Sequence, residues 1–172
     1  FQSPNSTVEI LDIESFQLPH EEYDLAVTIA SLHHIENRER FTGEVFASVK
    51  PGGFYCIADV VENSKIASFL DGFVGRYNGT GHEGMFLPAC QDDNLDWLPD
   101  GSILEHQVKP CPWRFTTASE LTQFVRSLFS LSGVSDREIM HTLENEIGIT
   151  HSGDELQLDW ELLYIVLKKV SI

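Results

Sequence analysis

Short apolar runs alternate with one amphipathic segment in the first third of the chain. Val8–Leu11, Tyr23–Ile29 and Phe54–Val60 are mostly apolar, as expected of strands that are buried on both faces of a parallel sheet. Between the last two runs, residues 36–49 carry apolar side chains at helical spacing, which predicts a helix. The alternation of strand, helix and strand predicts an α/β fold on a doubly wound, mostly parallel sheet.

Polar caps followed by apolar stripes predict three more helices. Ser64 precedes an apolar stripe that spans residues 66–77. Thr117-Ala-Ser-Glu120 and Ser135-Asp-Arg-Glu138 are capping boxes, in which the hydroxyl and the glutamate bond the free amides of the first helical turn. Residues 156–168 alternate at first and are then continuously apolar, which predicts one long final strand.

The segment from Asn78 to Pro112 is rich in glycine, proline, aspartate and asparagine. So long an irregular stretch is typical of a functional lid. We expect residues 1–172 to form one domain, in which residues 61–115 are a substrate lid or insert. Gly79–Gly84 matches the pattern G-x-G-x-x-G, which binds nucleotides only between a strand and a helix. A predicted helix precedes it here, so we expect a loop.

Charge limits the class of partner. The chain has 172 residues, with 27 acidic and 11 basic side chains and a net charge of −16, which would repel a nucleic-acid backbone. Between Arg76 and Lys109 there is no other lysine or arginine. That stretch is either a solvated acidic loop or an acidic rim that favours neutral or cationic small-molecule substrates.

Hydropathy and cysteine content limit the compartment. No apolar run approaches the ~20 residues of a membrane-spanning helix, so we expect no membrane partner. The 3 cysteines lack C-x-x-C spacing, which argues against a disulfide framework and a zinc site. We therefore expect no metal and a reducing, cytoplasmic location.

Polar residues follow each apolar run of the first third. Asp12 follows the first run, the turn at residues 29–34 follows the second, and Asp59 lies at the end of the third. Ligands of open α/β sheets bind at the carboxyl ends of the strands, so we expect a site formed by these three positions.

Four histidines are candidates for acid–base chemistry. His33 and His34 are adjacent in the turn, where an imidazole either bonds the backbone or acts as a general base, and His34 is the better candidate for the base. His82 and His106 fall in the irregular segment, and we expect both to be solvated loop residues.

The stretch from Asp12 to Asp59 resembles the class I S-adenosylmethionine-dependent methyltransferases, in particular the broad small-molecule group often called type 11. The resemblance rests on an ordered set of short motifs: Asp12, Leu18-Pro19, Tyr23-Asp24-Leu25, Leu32-His33-His34-Ile35, Lys50-Pro51-Gly52-Gly53 and Asp59. It implies a Rossmann-like, mostly parallel sheet, closed by an antiparallel strand for which residues 156–168 are the candidate.

The resemblance also implies a cofactor site for S-adenosylmethionine. Asp12 would accept a hydrogen bond from the adenine amino group, and the backbone at Ile13 would meet the edge of the ring. The backbone at Ile29 and Ala30 would face the methionine part of the cofactor, and His34 would lie near its sulfonium.

Catalytic roles follow from the same resemblance. His34 would lie at the mouth of the substrate site, and Asp59 would line the substrate side. The implied reaction is methyl transfer to a small-molecule acceptor. The alternative is a non-catalytic, methyltransferase-like interaction module.

Part of the family pattern is missing. In the family's strand order, 3-2-1-4-5-7-6, the glycine-rich loop follows strand 1 and an acidic residue that holds the ribose ends strand 2. Neither has a counterpart here. We therefore expect this chain to be the C-terminal two-thirds of the domain, within a longer protein. Otherwise a homo-oligomer or strand exchange would supply the missing strands, or the fragment has rearranged.

Overall fold

The computed structural model describes residues 6–13, 15–89 and 95–170. A four-stranded sheet in the order β1-β2-β7-β3 forms the centre of this part. Its strands are β1 (Tyr23–Ile29), β2 (Val49–Asp59), β3 (Ser102–Pro110) and β7 (Glu161–Lys168). A smaller sheet in the order β4-β6-β5 consists of β4 (Trp113–Phe115), β5 (Ile149–Ser152) and β6 (Glu155–Leu158).

The strand directions confirm the predicted fold class. β1 and β2 pair in parallel, whereas β7 pairs antiparallel with both β2 and β3. β1, β2 and β3 therefore run in one direction and β7 runs in the other. This arrangement is the 4-5-7-6 part of the strand order that the resemblance implies, with its antiparallel closing strand.

Helices form where caps and apolar stripes predict them. α1 (Arg38–Ala47) precedes β2, and a 3₁₀ turn (Leu32–His34) precedes α1. The second helical stretch contains α2 (Lys65–Phe69), a π-helical turn (Leu70–Val74) and α3 (Gly75–Tyr77). The last two helices are α4 (Ala118–Leu128) and α5 (Asp136–Thr142), and α5 continues into a second π-helical turn (Leu143–Ile147).

The predicted N-terminal caps are confirmed. Ser64, Thr117 and Ser135 each accept a hydrogen bond from the backbone amide three residues later, at 3.1, 3.1 and 3.2 Å respectively. Each bond satisfies an amide that has no partner inside its helix.

Apolar side chains cover both faces of the main sheet. One buried cluster contains Phe46 of α1 together with Ile57 and Ile165 of the sheet. The other cluster contains Phe69 of α2, Leu121 of α4 and further residues of the long helical stretches. The sheet is therefore covered by helices on its two faces, as a doubly wound fold requires.

The predicted first strand is absent from the structure. Val8–Leu11 has no regular secondary structure and pairs with no strand among the described residues, and Ile10 is 100% exposed. An isolated strand leaves its amides and carbonyls without partners, so the apolar run alone does not produce one. β1 is likewise an edge strand in the described sheet, with Leu25 and Val27 more than half exposed.

The predicted long final strand is two strands. β6 belongs to the small sheet and β7 to the main sheet, and the chain changes sheets at Asp159-Trp160. Trp160 is buried there among the helices, and the Asp159 carboxylate accepts a hydrogen bond from Thr150 at 3.2 Å. The alternating pattern and the continuous pattern therefore belong to different sheets.

The predicted irregular segment contains a strand. β3, at Ser102–Pro110, lies at the edge of the main sheet and pairs along β7, so part of the expected lid or insert at residues 61–115 belongs to the main sheet. The sequence pattern did not predict this strand because many of its side chains are polar, and an edge strand exposes most of its surface. Within the described residues, no helix has the length and apolar character needed to cross a bilayer.

The Lys50-Pro51-Gly52-Gly53 motif is a bulge within β2. The register with β1 jumps from the pair Tyr23–Val49 to the pair Leu25–Phe54, and Gly52 has a φ of 81°. A Cβ on Gly53 would lie 2.8 Å from the Asp24 carbonyl oxygen, so glycine allows the two strands to approach.

Candidate active site

A cavity of about 630 Å³ opens at the carboxyl ends of β1 and β2. We call it the histidine pocket, because His33, His34 and His82 line it. Ile29 and Ala30 at the end of β1 contribute to the same wall. A cavity of this size suits a small organic ligand, and it lies where open α/β sheets bind their ligands.

Aromatic side chains form the opposite wall of the histidine pocket. Trp113 and Trp160 stack with their ring centroids 4.4 Å apart, and Phe124 meets the edge of Trp113 at 5.2 Å. All three line the cavity. The small sheet supplies Trp113 and α4 supplies Phe124, so the second half of the chain completes the pocket.

Asp59 ties the end of β2 to the turn that follows β1. Its side chain is 0% exposed, and Oδ2 accepts hydrogen bonds from the amides of Ser31 and Leu32 at 2.9 and 2.7 Å. Oδ1 contacts Nδ1 of His33 at 2.5 Å and accepts from the Val60 amide at 2.7 Å. One buried carboxylate therefore fixes the turn that carries the histidines.

The charge state of Asp59 sets the tautomer of His33. Burial by itself would raise the pKa of Asp59, but the hydrogen bond and charge of His33, together with bonds from backbone amides, outweigh burial and lower this pKa. The carboxylate is thus ionised at neutral pH and can only accept hydrogen bonds. Nδ1 of His33 therefore carries the proton, and Nε2 is the nitrogen left for other partners.

The turn holds one residue in the left-handed region of backbone space. Ala30 has a φ of 47°, which alanine rarely adopts, and its amide donates to the Ala58 carbonyl at 2.8 Å. Such strain persists only where neighbouring interactions impose it, and it concentrates at functional sites. It turns the backbone abruptly from β1 into the pocket.

Three imidazoles meet at the floor of the pocket. The ring centroids of His33 and His34 are 4.0 Å apart, and those of His34 and His82 are 5.1 Å apart. Nδ1 of His82 donates to the Asp71 carboxylate at 2.9 Å, so this ring too is oriented from behind by a carboxylate. The Met85 amide donates to the His33 carbonyl at 2.9 Å and joins the loop of His82 to the turn.

His34 is favoured in its neutral form. Burial lowers the pKa of this imidazole, and the nearby His33 and His82 lower it further, since each would repel a second positive charge. The neighbouring carboxylates of Asp59 and Asp71 oppose this effect but do not reverse it. At neutral pH, His34 therefore offers an unprotonated nitrogen to the pocket.

The structure brings together three of the residues expected at the cofactor and catalytic sites. Ile29, Ala30 and His34 line one cavity. Asp59 lies behind His33, has no exposed surface and holds the turn. The roles assigned to these residues stay predictions.

Asp12 and Ile13 lie in an exposed segment beside β1. Asp12 accepts a hydrogen bond from the Ser15 hydroxyl at 2.9 Å. Ile13 lines a second cavity of about 520 Å³, together with Phe16, Leu25 and Val27. We call this cavity the β1 groove. The residues expected to bind the adenine and those expected to bind the methionine part of the cofactor thus lie at two different cavities.

Sequence reasoning missed His82. The expectation of a solvated loop residue is wrong, because its side chain is only 10% exposed and contacts the two histidines of the turn. The glycines around it gave no signal of this, since nothing in a local pattern shows that the loop returns to the end of β1. A long-range backbone bond, from Met85 to His33, brings it there.

Residues 2–57 match the family model described as a methyltransferase domain. A solved structure from Bacillus halodurans, of a protein assigned as a methyltransferase, superposes with a TM-score of 0.55 at 15% identity, over 93% of this chain and 70% of that one. The YcgJ protein of Bacillus subtilis superposes with a TM-score of 0.53 at 14% identity, over 93% and 69% of the two chains. No curated protein sequence matches the chain. The sequence match covers the first third of the chain, and the likeness to these solved structures shows that the chain has the same fold.

Proposed function

We propose that the protein transfers a methyl group from S-adenosylmethionine to a neutral or cationic small molecule in the histidine pocket. One observation carries the proposal. Ile29, Ala30 and His34, three residues that the family resemblance assigns to the methionine end of the cofactor, line one cavity at the carboxyl end of β1. The match of residues 2–57 to the methyltransferase domain supports this chemistry.

The residues at the end of β1 fit the methionine part of the cofactor. The left-handed turn at Ala30 bends the backbone at the pocket wall, where close approach of a ligand to the main chain is possible. Asp12, which the family resemblance assigns to the adenine amino group, is exposed at the surface. When bound, S-adenosylmethionine supplies a methyl group on a sulfonium, which already favours transfer.

The protein must therefore orient the acceptor, exclude water and accept a proton. Trp113, Phe124 and Trp160 offer flat apolar surfaces against which a small acceptor can stack. The described residues that line the cavity include neither lysine nor arginine, so an anionic acceptor would find no counter-charge. Aromatic faces also attract cations, which agrees with a neutral or cationic acceptor.

His34 is the candidate general base. Its nitrogen lies at the pocket surface, and its lowered pKa keeps it unprotonated at neutral pH. A positioned base of this kind contributes roughly 10²–10⁴-fold to a rate. His33 and Asp59 act through the geometry of the turn and are positioning residues.

Calorimetry with S-adenosylhomocysteine, the demethylated cofactor, tests the proposal. We expect saturable binding, which His34→Ala weakens little, and methyl transfer that the same change slows by roughly 10²–10⁴-fold. His20→Ala is the matched control, because His20 is an exposed histidine that lines neither cavity. No heat with either form of the cofactor would overturn the proposal and favour the non-catalytic interaction module.

A further inference from the structure

The three histidines of the pocket have the spacing of metal ligands. One ring nitrogen from each of His33, His34 and His82 lies within 4.8 Å of the other two. Around a tetrahedral zinc ion with bonds of ~2.1 Å, ligand nitrogens are about 3.4 Å apart. His34 is exposed and His82 lies in a loop without regular structure, so small rotations of these two rings would close the difference.

Two of the three rings are already oriented as metal ligands are. Metal-binding histidines usually donate their second nitrogen to a carboxylate, which fixes the tautomer and the direction of the ring. His33 makes this bond to Asp59 at 2.5 Å, and His82 makes it to Asp71 at 2.9 Å. Stacking of imidazoles alone would not require a carboxylate behind two of them.

Each orienting carboxylate is itself held in place. Asp59 accepts three backbone amide bonds besides its contact with His33. The same Asp71 oxygen that accepts from His82 also accepts from the Gly84 amide at 3.0 Å. Two carboxylates close behind the rings would also offset the charge of a divalent ion.

From this geometry we infer that His33, His34 and His82 bind a divalent transition-metal ion of the zinc type. Three imidazoles with one open position are the ligand set of a catalytic zinc site, and the donors do not suit magnesium or calcium, which prefer oxygen. Because all three histidines line the histidine pocket, the open position would face the cavity. The expectation of no metal rested on the cysteines alone and did not consider histidines that are distant in sequence.

The site would act on the acceptor, and this step rests on the proposed function. A hydroxyl or thiol of the acceptor would occupy the open position with its oxygen or sulfur on the ion. The ion would lower the pKa of that group, and the proton would leave to solvent. The ion would then replace His34 as the means of deprotonation, because the nitrogen of His34 would be bound to the metal.

Titration of the purified, metal-free protein with zinc chloride tests the inference without cofactor or acceptor. We expect one zinc per chain. When cobalt(II) replaces zinc, we expect an intense visible absorption at longer wavelengths than that of aqueous cobalt(II), as four-coordinate sites give. Magnesium chloride should give no heat. His82→Ala should weaken zinc binding by at least 10-fold, and Asp71→Asn by 10–100-fold through lost orientation of the ring. His20→Ala, at an exposed histidine outside the cluster, should leave binding unchanged.

Two results would overturn the metal site. The first is absence of stoichiometric zinc binding by folded protein. The second is equal weakening by His82→Ala and His20→Ala, which indicates adventitious binding by surface histidines only. Should His82→Ala fail to fold, Asp71→Asn decides, since it keeps all three imidazoles. Failure here leaves S-adenosylhomocysteine binding intact, whereas failure of the proposed function leaves zinc binding intact.

Discussion

The histidine pocket and the β1 groove lie on the same strand but are built in different ways. The pocket, of about 630 Å³, is held by a buried carboxylate with four partners and by residues from both halves of the chain. The groove, of about 520 Å³, is mainly apolar, and β1 has no strand partner on that side among the described residues. Directional bonds therefore define the first cavity, whereas apolar surface alone defines the second.

The two cavities therefore differ in how strongly their geometry is specified. Hydrogen bonds between Asp59 and the turn fix both the direction and the distance of these contacts. Exposed apolar residues such as Leu25 and Val27, at 54% and 53%, specify no geometry, because the hydrophobic effect has no direction. The residues that the family resemblance assigns to the methionine end of the cofactor therefore line the histidine pocket, and Ile13, which it assigns to the adenine end, lines the β1 groove.

Removal of the buried carboxylate should have the largest effect. Asp59→Ala leaves His33 and three backbone amides without their acceptor, so we expect a loss of about 3–5 kcal/mol in the free energy of unfolding, measured with urea. Asp24→Ala is the control, since Asp24 is 88% exposed in its pair with Lys50 and should cost at most about 1 kcal/mol. Equal effects would show that the turn does not depend on Asp59.

Replacement of one leucine from each cavity should give the next largest difference in the free energy of unfolding. Leu162 lines the histidine pocket and is 7% exposed, so Leu162→Ala should cost about 2–5 kcal/mol of unfolding free energy. Leu25 lines the β1 groove and is 54% exposed, so Leu25→Ala should cost well under half of that amount. A large loss at Leu25 would mean that the groove is covered in solution.

Two alanine-to-glycine changes should have the smallest effects on the free energy of unfolding, and these two effects should have opposite signs. Ala30→Gly relieves the left-handed backbone at the pocket and should raise the unfolding free energy by up to about 1 kcal/mol. Ala26→Gly, within β1, should lower it by about 0.5–1 kcal/mol, because glycine has more freedom to lose on folding. Destabilisation at both positions would contradict a strained turn, and differential scanning calorimetry resolves the sign.

Sequence reasoning recovered the elements whose signals are local. Ser64, Thr117 and Ser135 cap their helices as predicted, since a cap depends on residues three positions apart. The edge strand β3 was missed and the run Val8–Leu11 was assigned wrongly, for a common reason. Whether an extended segment becomes a strand depends on the presence of a neighbour, which the local sequence does not contain.

The same limit applies to the candidate site. Ile29, Ala30 and His34 follow one strand, and their grouping in one cavity was predictable from position alone. Asp71 lies in the second helical stretch, 38 positions after His33, and His82 lies in the loop that follows, 49 positions after His33. No spacing rule operates across such separations. Long-range backbone bonds bring them to the site, and these are visible only in the folded chain.

We propose that methyl transfer takes place in the histidine pocket. An NMR titration with S-adenosylhomocysteine, which follows the Ala30 amide and the ring signals of His33, His34 and His82, is the decisive experiment. We expect saturable shifts at Ala30 and His34, with the ring of His20 unchanged. Saturable binding that leaves Ala30 and all three pocket histidines unshifted would contradict it.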